Sequence, residues 1–506
     1  MSDQPTVRTA DAAASFLDGR EPIIVSNREP YSHEYDGDGI SVNRPAGGVT
    51  AVLDPMMQSL GGTWVAWGDG EADHEVVEEN VVKVPPEDPS YDLRRVMLDD
   101  DQVEGYYYGY SNRALWPIAH SDTSRAIYSV DDWEHYRTVN ELFAEAAIEV
   151  CDDDEPVAWF HDYHFGLAPR VVREQLPESF LMQFWHLPWP SWDVFRACPH
   201  AEKLLDGLLA NDMIGFHTDL YCQQFLETAD RLLDARVDYD TGAIRYRGGQ
   251  THVRRFRLGI DADEQADLAE QEGAAEFWEE FTQTHGIDDS QFVAVGVDRL
   301  DYTKGIVERL TALERLWETT PEWQGELTFV QKGTESRSDI PAYQRLQERV
   351  ASKIEEVNDR FGTDDWQPVI YTTEMLDRDS LAGLYRNADC CLVTSLRDGM
   401  NLVAKEYVAS QLDDDGVLVL SELAGAFEQM GDSSTVVHPS DTVETADAIE
   451  RALTMDADER EQRMSTLRSK VHEDDVYAWI EKQFRIAEAV ERGAPDTRWQ
   501  PDVRSN

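Results

Sequence analysis

The sequence predicts an α/β protein with two domains and mostly parallel sheets. Three observations predict it. Short apolar, β-branched or aromatic runs recur, stretches of helical period separate them, and the runs fall into two groups. A chain of 506 residues is long enough for two separate cores.

In chain order, strands are expected at 22–26, 63–67, 157–160, 180–185 and 213–216. A second set is expected at 292–296, 327–330, 369–371, 391–393 and 416–420, with helices at 308–317, 342–358 and 381–387 between them. The break falls near Leu258-Gly259-Ile260-Asp261, just ahead of an acidic helical stretch over 264–280. This gives a domain over 1–260, a second over 261–475, and a last segment, 476–506, that opens with a helix. There is no internal repeat and no low-complexity segment.

Charge is the outlying property. One hundred acidic against 45 basic residues give a formal net charge of −55. The acid is spread along the chain, with clusters such as Asp99-Asp100-Asp101 and Asp413-Asp414-Asp415, where an acidic tail would be one terminal block. A self-repelling surface of this kind suits concentrated salt, where the Debye length shrinks to roughly 3 Å near 1 M. The expectation is a halophilic protein. Nucleic acid is excluded as a partner, because no basic face is present to neutralise phosphates. Membrane insertion is excluded too, since no run approaches the roughly 20 apolar residues that a spanning helix needs. The cysteines are Cys151, Cys198, Cys222, Cys390 and Cys391. Their odd number, the absence of zinc-site spacing and the lack of a secretory signal point to reduced thiols in a cytoplasmic protein.

The segment Leu396-Arg-Asp-Gly-Met-Asn-Leu-Val-Ala-Lys-Glu-Tyr407 says most about chemistry. It follows a strand and turns into a helix, so backbone N–H groups and a helix N-terminus face whatever lies beyond the sheet. Asp398 and Glu406 add carboxylates that accept hydrogen bonds from sugar hydroxyls. Arg299 and Lys304, in Arg299-Leu-Asp-Tyr-Thr-Lys-Gly305, end another strand and offer two cations to a diphosphate. Ser26-Asn27-Arg28 ends the first strand, and the Gly47-Gly48 pair allows close backbone approach. His161-Asp162-Tyr163-His164 and His186-Leu-Pro-Trp-Pro190 place an Asp and a His among aromatics at strand ends, which suits sugar binding. Three-residue spacing of His161 and His164 without further ligands makes no metal site. Tyr106-Tyr107-Tyr108 and Trp116 read alone as core aromatics, and Arg337 as a loop arginine paired with an acid. No G-x-G-x-x-G or Walker-type loop is present, so dinucleotide and P-loop enzymes are unsupported.

Together these segments resemble the trehalose-phosphate synthases, retaining glucosyltransferases, from about Ile23 to the last helix. The resemblance implies the GT-B architecture: two Rossmann-like domains facing across a central cleft, with the C-terminal helix returning to the N-terminal domain. It implies that Arg299 and Lys304 grip the donor diphosphate, that Glu406 binds the ribose, and that Leu402, Val403, Ala404 and Lys405 shape that wall. Asp398, His186, Gly399, Met400 and Asn401 resemble the contacts to the donor glucose and Gly47 and Gly48 the pair over the phosphates, while Leu376 stands beside the base where the resemblance implies an aromatic. For an acceptor glucose 6-phosphate, Arg28, Tyr107, Trp116 and Arg337 match, with Asp162 on the sugar; Tyr106 and Tyr108 stay open beside Tyr107. The catalytic set so implied is Arg299, Lys304, His186 and Asp162, with no cofactor and no metal. The nucleoside-diphosphate glucose is a co-substrate, front-face attack lets the leaving phosphate take the acceptor proton, and a separate phosphatase releases trehalose. Homo-oligomerisation is left open. Arg28-Glu29-Pro30-Tyr31 and Trp116-Pro-Ile-Ala-His-Ser121 also resemble the glucosylglycerol-phosphate synthase branch, which uses glycerol 3-phosphate. Gly47-Gly48, His164 and Arg337 favour the first branch.

Overall fold

The computed structural model describes residues 12–37, 39–44, 49–151, 155–288, 290–337 and 340–494. It divides into two compact units, Met1–Arg257 with Tyr477–Asn506, and Leu258–Val476.

The strands of the first unit are β1 (Pro22–Ser26), β2 (Ser32–Asp36), β3 (Gly39–Asn43), β4 (Thr63–Trp67), β5 (Val81–Val84) and β6 (Tyr91–Val96). They continue with β7 (Val157–His161), β8 (Phe180–Phe184), β9 (Met213–Phe216), β10 (Arg236–Asp238), β11 (Ala243–Tyr246) and β12 (Gly249–Arg255). Ten of them form one sheet in the order β10-β11-β12-β9-β8-β7-β1-β4-β6-β5. The run from β12 to β6 is parallel, and antiparallel pairs close both edges. Strands β1, β7 and β8 are buried at every residue. Helices on both faces of a parallel sheet require such continuous apolar runs, which is why these strands stand out in the sequence. The separate two-stranded β2–β3 hairpin and the edge hairpin β10–β11 carry mixed, exposed residues and lack such a signal.

The second unit holds β13 (Phe292–Arg299), β14 (Leu327–Thr334), β15 (Val369–Thr372), β16 (Cys390–Val393), β17 (Val417–Ser421) and β18 (Thr435–Val437). They form a parallel sheet in the order β15-β14-β13-β16-β17-β18. Alternate residues feed two cores: Ala294, Phe329, Leu392 and Val419 on one face, Val295, Val330, Val393 and Leu420 on the other. The acidic stretch expected as one helix is two, Ala262–Glu270 and Glu272–His285, parted at Gln271, whose backbone is extended.

Both sheets are doubly wound. From β1 the chain steps to β4 and β6 on one side, then to β7, β8 and β9 on the other; from β13 it steps to β14 and β15, then to β16, β17 and β18. The order therefore reverses between β1 and β7 and again between β13 and β16. Ligands of open α/β sheets bind beyond the strand C-termini at such reversals.

Candidate active site

In the second unit the reversal brings the two most telling segments together. Lys304 follows β13 and Asp398 follows β16, and Lys304 Nζ donates to Asp398 Oδ2 at 2.5 Å. The same oxygen accepts from Ser395 Oγ at 3.1 Å and from Asn401 Nδ2 at 3.0 Å. The loops pack backbone on backbone, with Leu396 N donating to Thr303 O at 2.7 Å. Gly305 holds φ +64°, and any Cβ there would run into Thr394 O, so the close approach requires glycine. Helix Ile306–Thr319 starts directly after Gly305, and helix Leu402–Ser410 starts after Asn401, whose Oδ1 accepts from Ala404 N at 3.0 Å. Two helix N-termini, an ammonium and the exposed Arg299 thus gather at one sheet reversal, a setting for a multiply charged phosphate.

Within helix Leu402–Ser410 the nominated residues part company. Glu406 accepts from Tyr385 Oη at 3.2 Å, and burial raises its pKa above the usual carboxylate range. Leu402 and Val403 are half-buried and pack on the core of their face, as does Leu376. Lys405 is fully buried and its Nζ donates to Leu258 O at 2.7 Å, so its charge serves the start of the unit. Arg337 lies in the loop after β14; its Nη1 donates to Tyr343 Oη at 2.6 Å and sits 3.4 Å from Asp301 Oδ2. Beneath the site, Arg309 is wholly buried, paired with Asp298 at 2.7 Å and donating to Thr394 Oγ1 at 3.0 Å. That staple ties β13 to β16 and was not read from the sequence.

In the first unit the reversal lies between Arg28, after β1, and Asp162, after β7. Arg28 pairs with Asp69, and its Nη2 is 3.3 Å from Tyr107 Oη. Its guanidinium carbon lies 5.5 Å from the centre of the Tyr107 ring. Of the three tyrosines left open, Tyr106 is spent inside, donating to Asn27 Oδ1 at 2.8 Å, while Tyr107 is the one on Arg28. These tyrosines belong to a π-helical segment, Val103–Leu115, a rare form associated with functional sites. Asn112 joins that segment to the histidine motif: its Nδ2 donates to Tyr107 O at 2.7 Å, and its Oδ1 accepts from Tyr163 Oη at 2.9 Å. Trp116 stands at the segment's end, nearly buried against Tyr163 and His120.

Asp162 takes φ +74° and ψ 179°, and its Oδ1 accepts from Tyr163 N at 2.9 Å and His186 N at 3.3 Å. His186 Nε2 lies 3.3 Å from His161 Nδ1. Burial, and then the neighbouring His217, His161 and His164, hold the His186 pKa well below the usual histidine range. His186 is therefore a neutral hydrogen-bonding group near pH 7. Trp479, from the last helix, packs 6.3 Å from it and 5.0 Å from Phe184, so the helix expected to return to this unit also supports the histidine. Glu29 turns inward, where Arg95 bonds it at 2.8 Å and also reaches Asp73 at 2.8 Å. Glu29 of the Arg28-Glu29-Pro30-Tyr31 segment thus adds no carboxylate beside the Arg28 guanidinium. Gly47 and Gly48 lie outside the described residues.

Three of the nine non-glycine residues at positive φ among the described residues are nominated ones, Asp162, Arg337 and Asn401. Strain of that kind gathers at ligand sites. No helix among the described residues is long and apolar enough to cross a membrane.

The family model described as Glycosyltransferase family 20 matches residues 20–489. A bifunctional trehalose-6-phosphate synthase/phosphatase from Thermoproteus tenax is 34% identical over 477 residues, 90% of this chain. The chain spans 62% of that relative's length. Among solved structures, a Burkholderia xenovorans α,α-trehalose-phosphate synthase (UDP-forming) in complex with glucose 6-phosphate superimposes with a TM-score of 0.82. It is 30% identical and covers 92% of this chain and 100% of its own. An E. coli trehalose-6-phosphate protein bound with UDP-2-fluoro glucose gives the same TM-score and identity, with 92% and 99% covered.

Proposed function

We propose, from the premise that the chain belongs to glycosyltransferase family 20, that it transfers glucose from UDP-glucose to the anomeric hydroxyl of glucose 6-phosphate with retention, giving α,α-trehalose 6-phosphate. The observation that carries this is the meeting of Arg299-to-Gly305 with Leu396-to-Tyr407 at the β13/β16 reversal, held by Lys304 on Asp398. The family relatives named for trehalose 6-phosphate synthesis support the choice of product.

Arg299 and Lys304 take the charge that builds on the departing diphosphate, the largest electrostatic demand of the step. Lys304 exchanges Asp398 for phosphate oxygens, and Asp398 then accepts from a glucose hydroxyl. Glu406 accepts from the ribose hydroxyls. Leu402 to Ala404 and Leu376 bound the nucleoside, and the backbone at Gly399, Met400 and Asn401 meets the donor sugar. Arg28, Tyr107, Trp116 and Arg337 take the acceptor phosphate. Asp162, fixed by two backbone N–H groups, orients the acceptor sugar, and the neutral His186 hydrogen-bonds the donor glucose without repelling the positive charge that develops at its anomeric carbon. The Asp398 oxygen already accepts three hydrogen bonds, which makes it a poor covalent nucleophile. Front-face attack, with the leaving phosphate accepting the proton, needs none. The product keeps its phosphate, and a phosphatase must remove it. Five free thiols, four of them buried, support a cytoplasmic setting, and the distributed acid supports a salt-rich one.

Nucleotide release is to be measured with UDP-, GDP- and ADP-glucose against glucose 6-phosphate and glycerol 3-phosphate, across KCl concentrations. UDP release that depends on glucose 6-phosphate is the expected result. Turnover with glycerol 3-phosphate alone would overturn the acceptor, and preference for GDP or ADP would overturn the base.

A further inference from the structure

The first unit holds a cavity of about 360 Å³ at the β10–β11–β12 edge, closed by the C-terminal end of the last helix. Arg236, Arg245, Gln250 and His252 line it from the sheet, Ala489 and Gly493 from the helix. None of them belongs to the residues assigned above to donor or acceptor. Arg236 and Arg245 are partners across the antiparallel β10–β11 pair. Directly opposed side chains share a face, and like charges there destabilise the pair.

A chain with more than twice as many acids as bases has an easy remedy, a carboxylate bonded between the two, and no such ion pair forms among the described residues. Among the described residues neither guanidinium forms an ion pair; Arg245 Nε donates to the neutral Gln250 Oε1 at 2.8 Å. Asp238 also lines the cavity and feels the Arg245 charge, but it does not pair with the guanidinium; its Oδ1 accepts from Asp240 N at 3.0 Å and Thr241 N at 3.2 Å, closing the turn. Behind the lining, the buried Arg254 donates to Thr241 O at 3.0 Å and Val253 O at 2.8 Å, and its Nη2 is 3.3 Å from His252 Nδ1. Burial and the Arg254 charge push the His252 pKa down to about 4, so the imidazole is neutral and the positive field comes from arginine.

We propose that this cavity binds a phosphoryl dianion, free phosphate or a small phosphomonoester. The volume lies within the range of about 300–1,000 Å³ typical of small-molecule sites. Two opposed guanidinium forks match phosphate oxygens bidentately, which a lone surface arginine does not do. A bound dianion also removes the repulsion that the bare pair carries.

Isothermal titration of the full chain with inorganic phosphate, and separately with glycerol 2-phosphate, at fixed KCl, tests this. The wild type should show a binding component that weakens at least tenfold in Arg236→Ser/Arg245→Ser, while glucosyl-transfer kcat and KM and the melting temperature stay put. Arg247→Ser, in the adjoining β11–β12 turn and paired with Asp206, controls for bulk charge and should retain the component. Matching isotherms for wild type and double variant, or an equal loss in Arg247→Ser, would overturn the proposal. The two titrants separate phosphate itself from an ester.

Discussion

Glu29 follows Arg28 in the bend after β1 yet does a different job, because its side chain is buried while Arg28 stays exposed. At 2% exposure its carboxyl is raised in pKa by burial and by its hydrogen bond to Asp73, so it stays protonated in the folded chain. For Asp73 burial works upward, but hydrogen bonds from His33 and Glu29 and the Arg95 charge win and hold it at about 2. The pH consequence has a definite sign. A raised folded pKa favours folding fully below the unfolded value, and the benefit fades as pH climbs toward the folded one. Between pH 5 and 8 the unfolded Glu29 has lost its proton and the folded one keeps it, a slope of about −1.4 kcal/mol per pH unit. Glu29→Gln should remove that slope, so urea midpoints of wild type and variant should diverge across this range; parallel curves would refute the shared proton. Residues of this kind were invisible beforehand. In a chain with 100 acids, one more carboxylate announces nothing about burial, and neither Arg95 nor Arg309 differs in sequence from a surface arginine. Arg28, Asp162, Lys304 and Asp398 were legible because each ends a strand that is itself legible.

At the scale of elements, the turn Asp398-Gly-Met-Asn401 depends on one side chain with two duties. Asn401 caps helix Leu402–Ser410 through Oδ1 and steadies Asp398 through Nδ2, at φ +91°. Asn401→Ala loses the cap, worth about 0.5–2 kcal/mol. It also removes one of the hydrogen bonds that hold the Asp398 carboxylate. The expected outcome is a stability loss of that size with a larger fall in kcat than in donor affinity, read by thermal melts and steady-state kinetics. Unchanged kcat would detach the turn from the transition state. Elements buried on both faces were readable from composition, whereas β10, β11 and the π-helical Val103–Leu115 were not. Their residues are held by tertiary partners, as when Gly109 admits the Asp132 carboxylate against the backbone, and local pattern does not record such partners.

For the whole molecule, a net charge of −55 sets the terms of stability. Screening falls off as the Debye length grows from roughly 3 Å at 1 M salt to 30 Å at 0.01 M. Transfer activity and melting temperature should therefore drop on dilution from molar KCl to tens of millimolar; a melting temperature indifferent to KCl would count against salt adaptation. The double-wound order of each sheet gives the gathering of motifs its physical cause, since residues far apart in sequence meet where the strand order reverses. The strands could be read from their composition, whereas the Rossmann-like arrangement came only through the family resemblance. The last helix has a further consequence for how the protein is made. Trp479 lies against Trp159, Phe184 and His186, yet it is translated after every residue of the second unit. On a ribosome adding about 5–20 residues per second, the first unit waits many seconds with that aromatic surface uncovered. Its final packing step is tied to the completion of the chain, so a nascent polypeptide halted before the last helix has no finished histidine cluster.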